Sequence, residues 1–422
     1  MHRSEASSAP PASLASLRER PWLIAFLIAP TAVIDVGLVN GALSFLLRRQ
    51  GVGPAHSAEL IAFLTIPHTI YFLWSPITDF WLRRRTWILL AAAVAGATLI
   101  VAFQQPGLAS SGAIRLILIS YCLGLLVAAS CGGIMGAFTS EASRRRAGSF
   151  YQAGSLAFSA VAVFALVGLA DRVSSGTLGW VAAAFVVVPA LMALALPGTD
   201  TPGAPDLRAT FARIWREFRL TFLRWDAIPY TLLIILPFGC GAMLGLLPSL
   251  AIDFGVTGAQ VAWLNGLAGA LLTTLGSLSI TLMPARVRAP IAMLVTGLVN
   301  AGTLAILALG PLTPAVYFTG TILYLFTVGA SWGLFTVVAL EFLGDSGKSG
   351  GARYAIINSL GNLPIAYMAY VDGRGYARWG ARGMPAIDAA LSAVAAILLL
   401  AWFLLHRVPR RAAAESMPAA AD

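Results

Sequence analysis

Repeated continuous apolar runs of about twenty residues, the length that crosses a ~30 Å hydrocarbon core as a helix at 1.5 Å per residue, constrain this chain most. Twelve such runs are expected, over residues 22–47, 57–78, 86–104, 113–138, 147–170, 177–196, 227–250, 258–282, 289–310, 315–342, 352–371 and 384–406. A membrane β-barrel would instead show short strands of alternating polarity. Composition agrees. Only 11% of the 422 residues are charged and 58% are hydrophobic, whereas soluble domains carry about 25% charged residues. The expectation is an all-α integral membrane protein with twelve transmembrane helices.

The net charge of +10 would suggest nucleic acid in a soluble protein, but here the basic residues form short clusters between apolar runs. With both termini cytoplasmic, 21 of the 28 Lys and Arg residues fall on the cytoplasmic side, including Arg83–Arg84–Arg85 and Arg144–Arg145–Arg146. That bias follows the positive-inside rule and sets the orientation. The single lysine among 27 arginines suggests a GC-rich bacterial genome, so the expected location is a bacterial inner membrane. Residues 1–20, rich in Ser, Ala and Pro, read as a disordered cytoplasmic tail rather than a signal peptide. Residues 21–196 then form an N-terminal six-helix bundle, 197–226 a cytoplasmic linker, 227–406 a C-terminal six-helix bundle and 407–422 a cytoplasmic tail. Within the linker, Leu207, Phe211, Ile214, Phe218 and Phe222 recur at three and four residues, flanked by arginines. This pattern predicts an amphipathic helix along the headgroups.

The two halves echo one another. Phe138-Thr139 and Glu141, a polar turn and then Gly148 reappear about 200 residues later as Phe335-Thr336, Glu341, a polar turn and Gly351. Two pseudo-symmetric six-helix bundles joined by a cytoplasmic linker resemble the major facilitator superfamily. The segment Phe72-Leu73-Trp74, Pro76 and Asp79, followed by Arg83-Arg84-Arg85, is similar to the loop between helices two and three of that superfamily. More narrowly, it resembles the branch holding the AmpG-type muropeptide permeases and acetyl-coenzyme A transporters. The resemblance implies proton-coupled uptake or organic-anion transport.

Ionisable residues inside apolar runs are the candidate working parts. Asp35 sits mid-span in the first run, where a charged side chain costs roughly 2.5–3.5 kcal/mol, so it should face water or a partner and can serve proton coupling. His68, midway through the second run, is the second proton-coupling candidate. Asp79 can latch onto Arg83 and Arg84 or onto a helix N-terminus, while Glu141 and Glu341 end spans four and ten as an inner gate. Gln152, Tyr354, Asn358, Asn362 and Tyr324 lie on polar and aromatic stripes suited to a polar organic solute. Ser and Thr on the same spans fit interhelical hydrogen bonds. Pro229, Pro237 and Pro248 with the Gly239–Gly245 stretch predict a kinked span seven.

No metal-ligand spacing, phosphate loop or nucleophile–base set is present in the sequence, and the four histidines at 2, 56, 68 and 406 are scattered. These features argue against an enzyme, and the short tails argue against a sensor. The expectation is a monomeric secondary transporter, with no cofactor, no metal and no nucleic acid, working by alternating access. Its partners are the bilayer, a small solute and protons. A muropeptide-like solute is implied by the resemblance, with siderophores, acyl-coenzyme A or export of drugs and metabolites as alternatives.

Overall fold

The computed structural model describes residues 21–136, 141–196, 206–284, 286–343 and 350–405. The expected terminal tails and the first part of the linker lie outside them. The described chain is helical, and fourteen segments carry the architecture. The first six are α1 (Ala29–Arg49), α2 (Pro54–Thr69), α3 (Arg84–Phe103), α4 (Ser111–Gly136), α5 (Glu141–Leu169) and α6 (Ser175–Ala190). The linker helix is α7 (Leu207–Phe222), followed by α8 (Ile228–Ile235) and α9 (Gly258–Leu282). Then come α10 (Ala289–Leu309), α11 (Pro314–Leu343), α12 (Gly350–Gly361), α13 (Leu363–Trp379) and α14 (Gly383–Leu405).

Among the described residues, nine helices are long and apolar enough to cross a membrane, or ten if Pro54–Thr69 and Tyr71–Asp79, bent by 45°, form one span. The sequence expectation of twelve differs at two places. Residues 227–250 do not form one rod. They break after Ile235 and resume in short turns, because Pro237 cannot donate a backbone hydrogen bond and Gly239 and Gly241 adopt φ of 67° and 92°. Residues 355–405 count as one 51-residue stretch although α13 and α14 meet at Gly380 (φ 68°). The expected boundary at residue 371 cuts through α13.

Lipid is as apolar as leucine, so helices associate through close packing of small residues and interhelical hydrogen bonds. Gly276 of α9 and Gly329 of α11 are a reciprocal instance. A Cβ on the first would strike the Phe326 carbonyl, and one on the second the Thr273 backbone. Gly373 lets α13 lie against Ala55 and Ala58 of α2. Asn300 donates to Thr327 at 2.8 Å, both buried, tying α10 to α11. Helix ends are set locally: Ser174 caps α6, Thr257 and Gln260 form a capping box on α9, and Asp206 accepts from Ala209 at the start of α7.

Packing divides the chain into two compact units, one of residues 1–38, 75–162 and 173–205, the other of residues 39–74, 163–172 and 206–422. In the first, α3 packs against α4 and α6. In the second, α13 packs against α2 and α14, and α11 against α9 and α10. The linker helix belongs to the second unit. Its buried Glu217 accepts from Arg353 at 2.7 Å, and Phe218, Phe222, Phe342 and Tyr230 form a continuous ring contact. Phe211 and Trp215 on the same helix remain exposed.

Candidate functional site

Asp35 lies in a π-helical stretch, Val33–Ala42, within α1. A π turn widens the helix by one residue and is common at functional sites. Thr31, one turn earlier, donates to the Gly124 carbonyl at 2.6 Å and pins α1 to α4. Three residues along α4, the buried Tyr121 donates its hydroxyl to Asp35 Oδ1 at 2.9 Å. Asp35 itself is half-buried. A hydroxyl donor steadies a carboxylate without neutralising its charge.

His68 sits at the bend of span two. Pro67 disturbs α2 from inside, Trp74 Nε1 donates back to the Pro67 carbonyl at 3.3 Å, and the rings of His68, Tyr71 and Trp74 meet edge to face. Asp79 accepts from Arg84 at 2.8 Å, while Arg85 donates to the Leu196 carbonyl at 2.8 Å. The Arg84 guanidinium rests where a Cβ would stand on Gly133 of α4, so this glycine makes room for it. Arg83 is the N-cap residue of α3.

Among the solute candidates, Gln152 is exposed and Asn358 is half-buried. Asn362 donates to the Asn358 carbonyl at 2.8 Å, within its own turn. Tyr324 is 1% exposed and hydrogen bonded to the backbone of Met243. Glu341 is exposed at the end of α11. The side chains of Glu141 and Tyr354 lie outside the described residues.

Several polar groups were not singled out from sequence. Arg48 pairs with Asp253 at 2.9 Å, Tyr376 also donates to Asp253 at 3.2 Å, and Arg49 pairs with Asp171 at 2.6 Å. These contacts join the end of α1 to the segment before α9 and to α13. Two acids of the second unit, Asp372 and Asp388, are almost wholly buried. Asp388 had a readable signal, an acid inside an apolar run. Asp372 had none, because the expected span ended one residue before it. A cavity of about 1010 Å³ between α8, α13 and α14 is lined by Leu232, Val371, Leu391, Val394, Leu398 and other mainly apolar groups. Its lining is almost wholly apolar. Among the described residues, no group of three or more His, Cys, Asp or Glu is arranged to hold a metal ion.

A multi-span helical chain with half-buried and buried acids along its spans defines a class of membrane protein, and solved structures place it further. The chain is similar to the nucleoside transporter NupG, with a TM-score of 0.69 and 14% identity over 92% of this chain and 99% of that one. It is similar to a POT family transporter crystallised with a thioalcohol-conjugated peptide, with a TM-score of 0.65 and 11% identity over 96% and 98%. A D-xylose-proton symporter gives 0.66 and 17% over 94% and 98%. The chain has the fold of the major facilitator transporters. No protein-family model matches it, and no curated protein matches it in sequence.

Proposed function

We propose that this protein is a secondary active transporter that takes up a polar organic solute together with protons, by alternating access of two six-helix halves. The observation that carries the reading is the similarity in fold to NupG over 92% of this chain and 99% of that one. The named neighbours carry a nucleoside, a peptide and D-xylose, all polar organic solutes, and one is a proton symporter. A muropeptide-like solute remains the reading favoured by the helix two-to-three segment, with siderophores and acyl-coenzyme A as competitors.

In this reading twelve spans lie in a bacterial inner membrane with both termini cytoplasmic. Asp35, held by Tyr121, exchanges the proton, and His68 at the bend of span two assists it. Gln152, Asn358 and Tyr354 meet the solute. Asn362 and Tyr324 join them only after giving up the bonds they now make. Asp79 with Arg83 and Arg84, together with Glu141 and Glu341, gates the cytoplasmic side. The Arg48–Asp253–Tyr376 cluster closes the outer side. The Arg49–Asp171 pair beside it is the more exposed one and is worth about 1 kcal/mol or less.

The test is Asp35→Asn in proteoliposomes. Accumulation driven by a pH gradient is expected to be lost while solute exchange at equal pH persists. Driven accumulation equal to that of the wild-type protein makes Asp35 a structural residue.

A further inference from the structure

The acids of α13 and α14 have no part in the roles assigned above. Asp372 is fully buried and Asp388 is 3% exposed. They come together because Gly375 of α13 and Gly383 of α14 touch backbone to backbone, and a Cβ on either would strike the other's carbonyl. Asp388 Oδ1 accepts from Ser392 at 2.9 Å. Neither oxygen of Asp372 receives a hydrogen bond, and the Asp388 carboxyl is its acidic neighbour.

Among the described residues, no Lys, Arg or His is bonded to either acid. Arg374, Arg378 and Arg382 of the same hairpin are exposed, and Arg378 lies over the Trp379 ring. Toward α13, α2 presents Ala55 and Ala58 at Gly373, while its His56 and Glu59 bond each other. Tyr376 is bonded to Asp253. The titratable neighbours are Cys240, Tyr324 and Tyr367. Two adjacent carboxyls in such a setting repel one another when both are charged, and a proton held between them would remove that repulsion. Asp388 already accepts from Ser392, so Asp372 would be the donor.

The pair also borders the break in span seven. The single Ser392 proton has two acceptors, Asp388 Oδ1 at 2.9 Å and the Pro237 carbonyl at 3.3 Å. Pro237 opens the break that Gly239 and Gly241 continue. On the other flank, Ser331 Oγ lies directly against Gly239, 2% exposed and without a partner. The broken segment therefore runs between a carboxyl pair and an unsatisfied hydroxyl.

We propose that Asp372 and Asp388 form a proton-binding site, and that Ser392 links its occupancy to the broken segment of span seven. A second proton arriving on Asp388 removes the charge that attracts Ser392. The hydroxyl then turns to Pro237, where it bears on the break. The link to transport rests on the proton-coupled reading; the bound proton does not.

The test is infrared spectroscopy of the purified full-length protein in H2O and in D2O, without solute. The wild-type protein is expected to show a deuterium-sensitive band of protonated carboxylic acid at neutral pH. The Asp372→Asn/Asp388→Asn variant loses it and Asp35→Asn keeps it. Absence of the band from the wild-type protein, or its persistence in the double variant, overturns the site. Ser392→Ala, which retains both acids, is expected to move the pH at which the band disappears. An unmoved value overturns the link to span seven. Loss of the wild-type band when sodium chloride replaces choline chloride overturns the proton assignment in favour of a metal cation. Because no solute is present, a missing band leaves the transport reading standing, and failure to find transport leaves the band standing.

Discussion

Asp35 and the Asp372–Asp388 pair are both carboxyls inside membrane-spanning helices, yet their settings are opposite. Asp35 is half-buried, lies on a π-helical stretch and has a neutral hydroxyl donor from Tyr121. Asp372 is sealed from solvent, and its oxygens have no hydrogen-bond partner among the described residues. A carboxyl that reaches water has a ready path for exchanging a proton. A sealed one holds its proton until the protein around it moves. On the proposed reading, fast exchange belongs to the first unit and conformationally controlled exchange to the second.

The sharpest way to break this contrast is to separate the sealed pair. Gly383→Val places a branched side chain against the Gly375 backbone, and forcing that contact is expected to cost about 3 kcal/mol. The readout is a large fall in the melting midpoint of the purified protein. Next comes Asp388→Leu, which removes the acid beside Asp372 and the acceptor of the Ser392 hydroxyl and should cost about 1–3 kcal/mol. Asp35→Leu should cost less, since water reaches that acid, and equal melting shifts for the two variants would erase the distinction. Tyr121→Phe removes the donor to Asp35 at a cost of about 1 kcal/mol or less. Its effect should appear in the pH profile of uptake rather than in stability. The smallest effect belongs to Gly124→Ala, where the added methyl meets the movable end of Ile34 at 3.3 Å. A shift below about 1 kcal/mol is expected in the same melting assay.

The fold and the two acids were legible in the sequence to different degrees. Apolar runs and charge clusters are local, so the membrane class, the linker helix and the weak point of span seven could be read directly. Asp35 stood out because a lone acid in an apolar run is costly. Its partner Tyr121 is 86 residues away, and nothing local marks that pairing. Asp372 was hidden by a boundary. Arg374, Arg378 and Arg382 make residues 372–383 resemble a loop, yet α13 continues through Trp379 with its arginines on the exposed side. The pair then depends on a glycine crossing that only packing creates. The same holds for Arg48 and Asp253, joined across 205 residues.

Uptake by the purified chain in proteoliposomes, with and without an inward proton gradient, tests the central claim most directly. The panel should span nucleosides, peptides, D-xylose, anhydro-muropeptides, siderophores and acyl-coenzyme A. The account predicts that at least one polar organic solute accumulates when the outside is acidic, and that a protonophore abolishes the accumulation. Accumulation that ignores both the gradient and the protonophore would contradict proton coupling, and no uptake or exchange of any solute in the panel by folded protein would contradict the transporter reading itself.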